Sequence, residues 1–297
     1  MAIGQHRFVH VDVFTRRAFG GNQLAVFTDA RGLSAAQMQA IAREMNFSES
    51  TFVLPPEDPG ADAKVRIFTP SRELPFAGHP TVGTGYVLGI ERGQRRVALE
   101  LAVGTLGVEC EPGDGRIGSA RMGQPLPRFR PVEADSTALA ASVGLSPDDV
   151  AAGSPPEFGS AGVEFLYLPL RSLDAVRRAR ADLDAMKRVF EDSDHPAAYP
   201  FSMETESPDA AAHARMFSLL LGPGLSEDPA TGSAAGPLGA YLVRHGLSRP
   251  GALLIEQGYE MQRPSQLEVQ VDLAGGEVSR VRVGGGVVRV AEGELFM

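Results

Sequence analysis

The sequence predicts a protein of strands and helices arranged as two similar lobes. Its 297 residues are enough for two domains of roughly 150 residues each. The same succession of a strand, a polar loop and a helix rich in small residues occurs in each half. A repeat of this size indicates two related structural units, and the loop-like stretch at residues 123–127 is the expected boundary between them.

The two halves also share residues at a fixed spacing. Arg66-Ile67-Phe68 begins 13 positions before His79, and Arg215-Met216-Phe217 begins 13 positions before Asp228. The same offset of 149 aligns three further pairs: Pro80 with Pro229, Gly83 with Gly232, and Thr84 with Ser233. Two unrelated strand–loop–helix units are the alternative, but several matches at one offset favour a true repeat.

In the first half, alternating apolar residues predict strands at 8–14, 24–27, 48–54 and 64–69. Ser34 and Gln37 form a capping-box pattern, so a helix is expected to follow and to end near Asn46. Residues 81–90 are apolar nearly all round and predict a buried helix. Residues 97–103 and 106–110 resemble a hairpin.

In the second half, Ser172 is expected to cap one helix whose apolar face continues to Phe190. A strand follows at 215–220. Asp228-Pro229 then opens a second helix rich in small residues, which runs to about residue 243. Residues 253–256 and 267–271 are predicted strands.

Composition excludes several classes of function. The net charge is −9 and no basic block is present, so nucleic acid is not an expected partner. Cys110 is the single cysteine, which rules out an intrachain disulfide and argues against a cysteine-based metal site. No apolar stretch is as long as a membrane span, and the first residues do not resemble a signal peptide. We therefore expect a soluble, cytoplasmic protein without a metal.

The two predicted helix starts, Gly78-His79-Pro80 and Asp228-Pro229, are candidates for binding an anion. The first turn of a helix offers unpaired N–H groups and the positive end of the helix dipole. Small residues such as Gly78, Gly232 and Ser233 allow a ligand close to the backbone. A substrate carboxylate could be held there without lysine or arginine.

The residues at these starts also have structural interpretations. Glycines within both helices are explained by close packing as well as by function. Asp228 is a favoured N-cap, and capping is the default interpretation of that residue alone. His79 is not a favoured N-cap, and the helix dipole would keep its imidazole neutral and able to accept or relay a proton. His6 and His10 are four residues apart, but His10 lies in a strand pattern, so this pair is not expected to bind a metal.

The sequence also contains longer motifs, at residues 21–27, 46–52, 68–70 with 76–81, 227–234, 255–258 and 284–287. Together they resemble the motifs of the PhzF-like family of phenazine biosynthesis. The resemblance covers the chain from about residue 8 to the C-terminus.

This resemblance implies an α+β, diaminopimelate-epimerase-like fold. Each of two pseudo-symmetric lobes would be a curled, mostly antiparallel sheet around a central helix, with the active site between the lobes. The N-terminal lobe would comprise residues 1–122 with a returning segment, 277–297, and the C-terminal lobe residues 128–276. Family members are commonly homodimers.

The resemblance also implies an activity, a cofactor-independent isomerisation like that of trans-2,3-dihydro-3-hydroxyanthranilate. Carried over to this sequence, Glu49 is the catalytic acid/base, and His79 and Asp228 act beside it. Ser233 and the amides near Gly78 and Gly232 would bind the substrate, a small carboxylate. The segment after Phe217 lacks an early proline common in the family, which leaves the identity of the substrate open.

Two alternatives use the same scaffold. One is an epimerase or racemase, although fold relatives with that activity use two opposed cysteines and this chain has only Cys110. The other is a binding protein without catalysis. Glu49 by itself would be interpreted as a solvated residue at a strand entry, since most single carboxylates lie at the surface.

Overall fold

The computed structural model describes residues 4–191, 193–221 and 226–297. Contacts divide the chain into two units, one of residues 1–123 with 284–297 and the other of residues 124–283. The fold is α+β, and each unit is a mostly antiparallel sheet with one central helix. The long C-terminal strand begins in the second unit and ends in the first.

The described residues of the first unit form two α-helices, eight strands and the end of the C-terminal strand. Its helices are α1 (Ala35–Met45) and α2 (Gly78–Arg92). Its strands are β1 (Gln5–Val13), β2 (Asn22–Phe27), β3 (Glu49–Leu54), β4 (Ala63–Phe68), β5 (Glu73–Leu74), β6 (Arg96–Leu101), β7 (Gly104–Glu111) and β8 (Ile117–Gln124).

The second unit contains four helices and most of the remaining strands. Its helices are α3 (Ser136–Ser142), α4 (Leu173–Arg178), α5 (Leu183–Val189) and α6 (Gly232–Arg244). Its strands are β9 (Arg128–Pro131), β10 (Glu157–Ser160), β11 (Glu164–Pro169), β12 (Ala197–Ser202), β13 (Ala212–Ala214), β14 (Met216–Ser218), β15 (Glu227–Asp228), β16 (Gly251–Gln257) and β17 (Ser265–Ala274). Strand β18 (Glu277–Phe296) completes the chain, and it pairs with β1 over residues 287–296.

Both units use the same order of strand pairings. In the first, β1–β2 is antiparallel, β2–β3 parallel, β3–β4 antiparallel, β4–β6 parallel and β6–β7 antiparallel. The second unit repeats this order of antiparallel and parallel pairings, in β10–β11, β11–β12, β12–β14, β13–β16 and β16–β17. The shared order is the structural counterpart of the repeat in the sequence.

The central helices α2 and α6 are almost entirely buried, each among the strands of its own unit. Their glycines permit this close approach. A Cβ atom on Gly85 would lie 2.6 Å from Val108 of β7, and one on Gly239 would lie 2.6 Å from Val269 of β17. Close packing therefore accounts for these two glycines without a direct role in chemistry.

The structure places an insertion inside the repeat. Arg66 makes a bidentate pair with Glu73 and stacks on Phe68. Arg215 makes the same pair with Glu227 and stacks on Phe217. The partner glutamates and the helix starts are thus offset by 154, not 149, so Gly78 corresponds to Gly232 and His79 to Ser233. The prediction that aligned His79 with Asp228 was wrong because the second loop is five residues longer.

The single helix predicted from Ser172 to Phe190 is instead two short helices. Ser172 does cap α4, but Ala179 leaves the helical conformation and Asp182 caps α5. Backbone N–H groups of Arg180 and Asp182 donate to carbonyls of α3 and its C-cap residue. These bonds hold the intervening segment against a neighbouring helix, which interrupts the helix that periodicity alone would continue.

The capping box of α1 was predicted correctly. Ser34 accepts from the backbone of Gln37 and Gln37 returns a bond to the backbone of Ser34, while Asn46 ends the helix in the left-handed conformation. In the second unit, residues 222 and 223 of the segment that departs from the family pattern lie outside the described residues. Among the residues that are described, no helix is long and apolar enough to cross a membrane.

Candidate functional site

Glu49 is the first residue of β3, where that strand begins to pair in parallel with β2 at Leu24. The left-handed conformation of Asn46 turns the chain out of α1 just before this point. The Glu49 side chain is 12% exposed. Glu49 is therefore not the solvated surface carboxylate that its type alone would suggest.

His79 lies beside Glu49 and is held from the opposite side. Its Nε2 is 3.4 Å from Oε2 of Glu49, and its Nδ1 is 3.1 Å from the side-chain amide nitrogen of Asn22. Asn22 is the first residue of β2 and His79 is the second residue of α2. The beginnings of two strands and one helix thus bring a carboxylate, an imidazole and an amide together.

The His79 imidazole is neutral near pH 7. Burial lowers its pKa from the ordinary 6.5 to about 3, although a hydrogen bond with the backbone of Gln23 opposes the shift. The sequence predicted the neutral state from the helix dipole, whereas loss of hydration is the leading cause. Glu49 and His79 therefore form a contact between a carboxyl group and a neutral imidazole, not a fixed ion pair.

A second contact fixes the distance between β3 and α2. The hydroxyls of Thr51 and Thr84 are 2.8 Å apart, and both side chains are fully buried. Thr51 is two residues beyond Glu49 on the same face of β3, because side chains alternate along a strand. This bond sets how far Glu49 stands from the start of α2.

In the second unit, Asp228 ends the two-residue strand β15 and is 6% exposed. Its Oδ2 accepts a 2.6 Å hydrogen bond from the hydroxyl of Thr231. Gly232 and Ser233 are the first two residues of α6, which begins directly after Thr231. Asp228 therefore stands close in the chain to the start of the helix without being part of it.

Both predicted helix starts need correction. Helix α2 begins at Gly78 after the N-cap Ala77, so Pro80 is its third residue and not its first. Helix α6 begins at Gly232, so Asp228 does not cap it and Pro229 precedes it. The main-chain carbonyl of Asp228 and the amide of Thr231 are bonded to the side chain of Gln257, which holds this segment outside the helix.

The two central helices differ from the four others at their N-termini. A side chain accepts from first-turn amides in α1, α3, α4 and α5, the caps being Ser34, Asp135, Ser172 and Asp182. Neither Ala77 of α2 nor Thr231 of α6 makes such a bond. The first-turn amides of α2 and α6 are therefore not occupied by an N-cap side chain, which makes these helix starts candidates for binding an anion.

The structure groups the predicted residues into two sets. Glu49 and His79 are in contact in the first unit, next to Gly78, and Asp228 lies near Gly232 and Ser233 in the second. Sequence reasoning did not single out Asn22 or Thr231, although both lie inside the family motifs at residues 21–27 and 227–234. Within the described ranges, no group of three or more His, Cys, Asp or Glu side chains is placed to hold a metal ion.

Comparison with known proteins identifies relatives along nearly the whole chain. Residues 11–293 match the PhzC-PhzF family model, described as phenazine biosynthesis-like protein. The chain is 39% identical over 295 residues to a trans-2,3-dihydro-3-hydroxyanthranilate isomerase from Pseudomonas fluorescens, covering 98% of this chain and 100% of the relative.

Two solved structures extend the likeness to three dimensions. A phenazine biosynthesis protein of the PhzF family from Bacillus anthracis superimposes with a TM-score of 0.88 at 30% identity, covering 99% of this chain and 100% of its own. A predicted epimerase from Pseudomonas aeruginosa gives a TM-score of 0.82 at 37% identity, covering 98% and 99%. The predicted fold class is thereby confirmed.

Proposed function

The chain belongs to the PhzC-PhzF family of phenazine biosynthesis-like proteins and is an isomerase, and we propose that it moves a proton between two carbons of a small cyclic or amino carboxylate without a cofactor. The observation that carries the proposal is the contact between the largely buried carboxylate of Glu49 and the neutral imidazole of His79. The first substrate to test is trans-2,3-dihydro-3-hydroxyanthranilate, the compound named for the relative from Pseudomonas fluorescens.

In this proposal, Glu49 is the group that carries the proton. Its carboxylate takes a proton from one carbon of the substrate and the resulting carboxylic acid returns it to another, so no proton is gained or lost overall. A single carboxyl group can serve both steps if it is shielded from water. Loss of hydration raises the pKa of a carboxyl group towards the pH at which the enzyme works. The limited exposure of Glu49 supports this role.

His79 and Asp228 act as polar neighbours of the reacting carbons. The neutral His79 accepts or donates a hydrogen bond without introducing a charge that would trap the substrate in one protonation state. We assign the substrate carboxylate to main-chain amides at the uncapped helix starts, near Gly78 or near Gly232 and Ser233. This binding mode suits a protein whose net charge of −9 would otherwise repel an anion.

The competing function is epimerisation. It is supported by the structural similarity to a predicted epimerase from Pseudomonas aeruginosa. A two-cysteine mechanism does not fit this chain. Cys110 is its single cysteine, its side chain is buried against the carbonyl of Gly85, and burial raises the pKa of its thiol to about 12. An epimerase on this scaffold would therefore also have to rely on Glu49.

Proton NMR of trans-2,3-dihydro-3-hydroxyanthranilate in deuterated water tests the proposal. The expected result is loss of the substrate signals and incorporation of deuterium at carbon, dependent on the protein. Inversion of an amino acid centre with deuterium entering at the same carbon would indicate epimerisation instead. If the compound and a panel of cyclic and amino carboxylates bind but show no exchange, the protein is a binding protein and the proposal is wrong.

We further propose a cytoplasmic homodimer. Both proposals derive from the family resemblance, and a single buried thiol suits a reducing compartment. Light scattering should give twice the 31.5 kDa of one chain, and cell fractionation should place the protein with soluble cytoplasmic markers. A mass of one chain, or recovery in a membrane or secreted fraction, would contradict the respective proposal.

A further inference from the structure

Gln257 connects the end of β16 to the segment that carries Asp228. It belongs to the motif at residues 255–258, to which the proposed function gives no role. The side chain is fully buried and makes four hydrogen bonds. Its Nε2 donates to the carbonyl of Asp228 at 2.7 Å and to the hydroxyl of Thr231 at 3.0 Å. Its Oε1 accepts from the amide of Thr231 at 3.1 Å and from the hydroxyl of Tyr199 at 2.8 Å.

These partners fix the orientation of the Gln257 amide. The Thr231 N–H is only a donor and must face Oε1, whereas the Asp228 carbonyl is only an acceptor and must face Nε2. A flipped amide would place two donors together and two acceptors together. Every hydrogen-bonding position of Gln257 is therefore assigned, and the group specifies one arrangement of its neighbours.

The orientation of Gln257 in turn fixes that of the Thr231 hydroxyl. Because this hydroxyl accepts from Nε2 of Gln257, its own proton is available for Oδ2 of Asp228, 2.6 Å away. Threonine at an N-cap usually accepts from an amide of the first turn, but Thr231 makes no such bond. Its side chain instead holds the carboxylate of Asp228.

The rest of the motif supports the same segment. Gly258 leaves room for the carbonyl of Pro229, since a Cβ there would lie 2.4 Å from that oxygen, and the hydroxyl of Ser265 donates to it at 2.9 Å. Asp228 thus ends β15 just before a short segment, and main-chain polar groups of Asp228 and this segment are bonded from the β16–β17 hairpin. Such support is what holds a reacting side chain within a fraction of an ångström.

We propose that Gln257 is a positioning residue for Asp228. It orients the Thr231 hydroxyl as a donor, so that Oδ2 of Asp228 is held as an acceptor and the carboxylate is kept in one rotamer. This inference rests on the proposed function, in which Asp228 acts beside the reacting carbons.

Steady-state kinetics of five proteins test it: native, Gln257→Met, Thr231→Val, Thr231→Ser and Gln257→Met/Thr231→Val. We expect Gln257→Met and Thr231→Val each to lower kcat about 10- to 100-fold with KM changed by less than about threefold, since the lost bond reaches a charged group used in the transition state. The double variant should lose no more than the worse single variant, because both changes break one chain of bonds. Thr231→Ser keeps the hydroxyl and should retain near-native kcat.

Gln266→Met is the matched control, because it makes the same change at an exposed position of the neighbouring strand β17. If Gln257→Met does not fold, Thr231→Val still removes the hydroxyl that joins Gln257 to the carboxylate of Asp228, and it decides the matter. A Thr231→Val enzyme with kcat within about twofold of native would overturn the inference, as would fully additive losses in the double variant.

A measurement without substrate separates this inference from the proposed function. In carbon-13-labelled protein, the carboxyl resonance of Asp228 should shift in Thr231→Val and Gln257→Met but not in Thr231→Ser or Gln266→Met. If the native protein shows no turnover, the proposed function is wrong. The chemical shift of the Asp228 carboxyl group still tests whether Gln257 and Thr231 position Asp228. An unchanged resonance in Thr231→Val would show that Gln257 does not act on Asp228.

Discussion

Nε2 of His79 lies 3.4 Å from Oε2 of Glu49, and neither side chain is more than 12% exposed. His79 is neutral near pH 7, so this contact joins the carboxyl group of Glu49 to an uncharged imidazole. Asn22 contacts the imidazole from its other nitrogen and limits how the ring can turn. The carboxyl group and the imidazole are thus held in one arrangement within the first unit, which is the arrangement on which the proposed function depends.

Replacing Glu49 by glutamine should abolish isomerase activity without unfolding the protein. Glutamine has nearly the same shape but cannot take up a proton, and loss of a positioned acid or base typically costs about 10²- to 10⁴-fold in rate. Activity would be followed by the exchange of substrate hydrogen for deuterium, and folding by circular dichroism. Glu44→Gln, an exposed change on α1, is the control and should be fully active. Near-native turnover by Glu49→Gln would remove this residue from the mechanism.

His79 should make the protein less stable as the pH falls from about 6.5 towards 3. The unfolded chain takes up a proton on this histidine near pH 6.5, whereas the folded chain resists protonation until about pH 3. Its contribution is therefore complete above pH 6.5 and decreases by about 1.4 kcal/mol per pH unit below it. Urea unfolding of the native protein and of His79→Gln gives the free energy of unfolding of each at pH 7 and pH 5. The difference between the two proteins isolates His79, because the carboxylates contribute equally to both. Parallel pH dependences would contradict the burial of His79.

The sequence predicted the helices that follow Gly78 and Asp228 but not where each helix begins. Glu49, His79, Asp228, Gly232 and Ser233 remain predicted site residues, which the structure groups into one set in each unit. The start of α6 was wrong by several residues because Gln257, far along the chain, bonds the main chain of Asp228 and Thr231. A proline next to a polar residue is a local signal for a helix start, and a tertiary hydrogen bond overrides it.

The repeat shows the same limit. Identical residues at an offset of 149 correctly located the corresponding strands around Arg66 and Arg215, but that offset fails beyond the loop that follows them. The structure recovers the correspondence through two equivalent ion pairs, Arg66 with Glu73 and Arg215 with Glu227. The two partners of each pair are not separated by the same number of residues. The five additional residues leave the paired elements unchanged, because connecting segments tolerate insertions better than strands do.

His213 should stabilise the folded protein at neutral pH and lose this stabilising contribution in alkaline solution. Burial lowers its pKa, but hydrogen bonds to Glu256 and Glu260 outweigh burial and raise it from 6.5 to about 9. A raised pKa gives a contribution that is complete below pH 6.5 and is lost as the pH rises through 9, amounting to about 3 kcal/mol. Unfolding free energies at pH 6.5 and pH 9.5 should differ by less in His213→Gln than in native protein. An equal loss in both proteins would show that His213 does not hold its proton between the two carboxylates.

Gly85→Ala and Gly239→Ala should each destabilise the protein, although alanine normally strengthens a helix by about 1 kcal/mol relative to glycine. The added methyl would lie 2.6 Å from Val108 in one case and from Val269 in the other, and overpacking of this kind costs about 1–3 kcal/mol. Calorimetry should show a lower Tm for both. Gly123→Ala, where a Cβ meets nothing within 4 Å, is the control and should leave Tm unchanged.

A second substitution separates steric overlap at Gly85 from other effects of the change. Val108→Ala removes Cγ1 and Cγ2, two of the three atoms that the new methyl would meet, and keeps Cβ at 2.6 Å. Gly85→Ala/Val108→Ala should therefore recover part of the lost stability and be more stable than the sum of the two single losses predicts. Strictly additive losses would mean that α2 shifts to accommodate the methyl. In that case His79, at the start of the same helix, would move relative to Glu49, and the double variant would be expected to fall in kcat as well as in Tm.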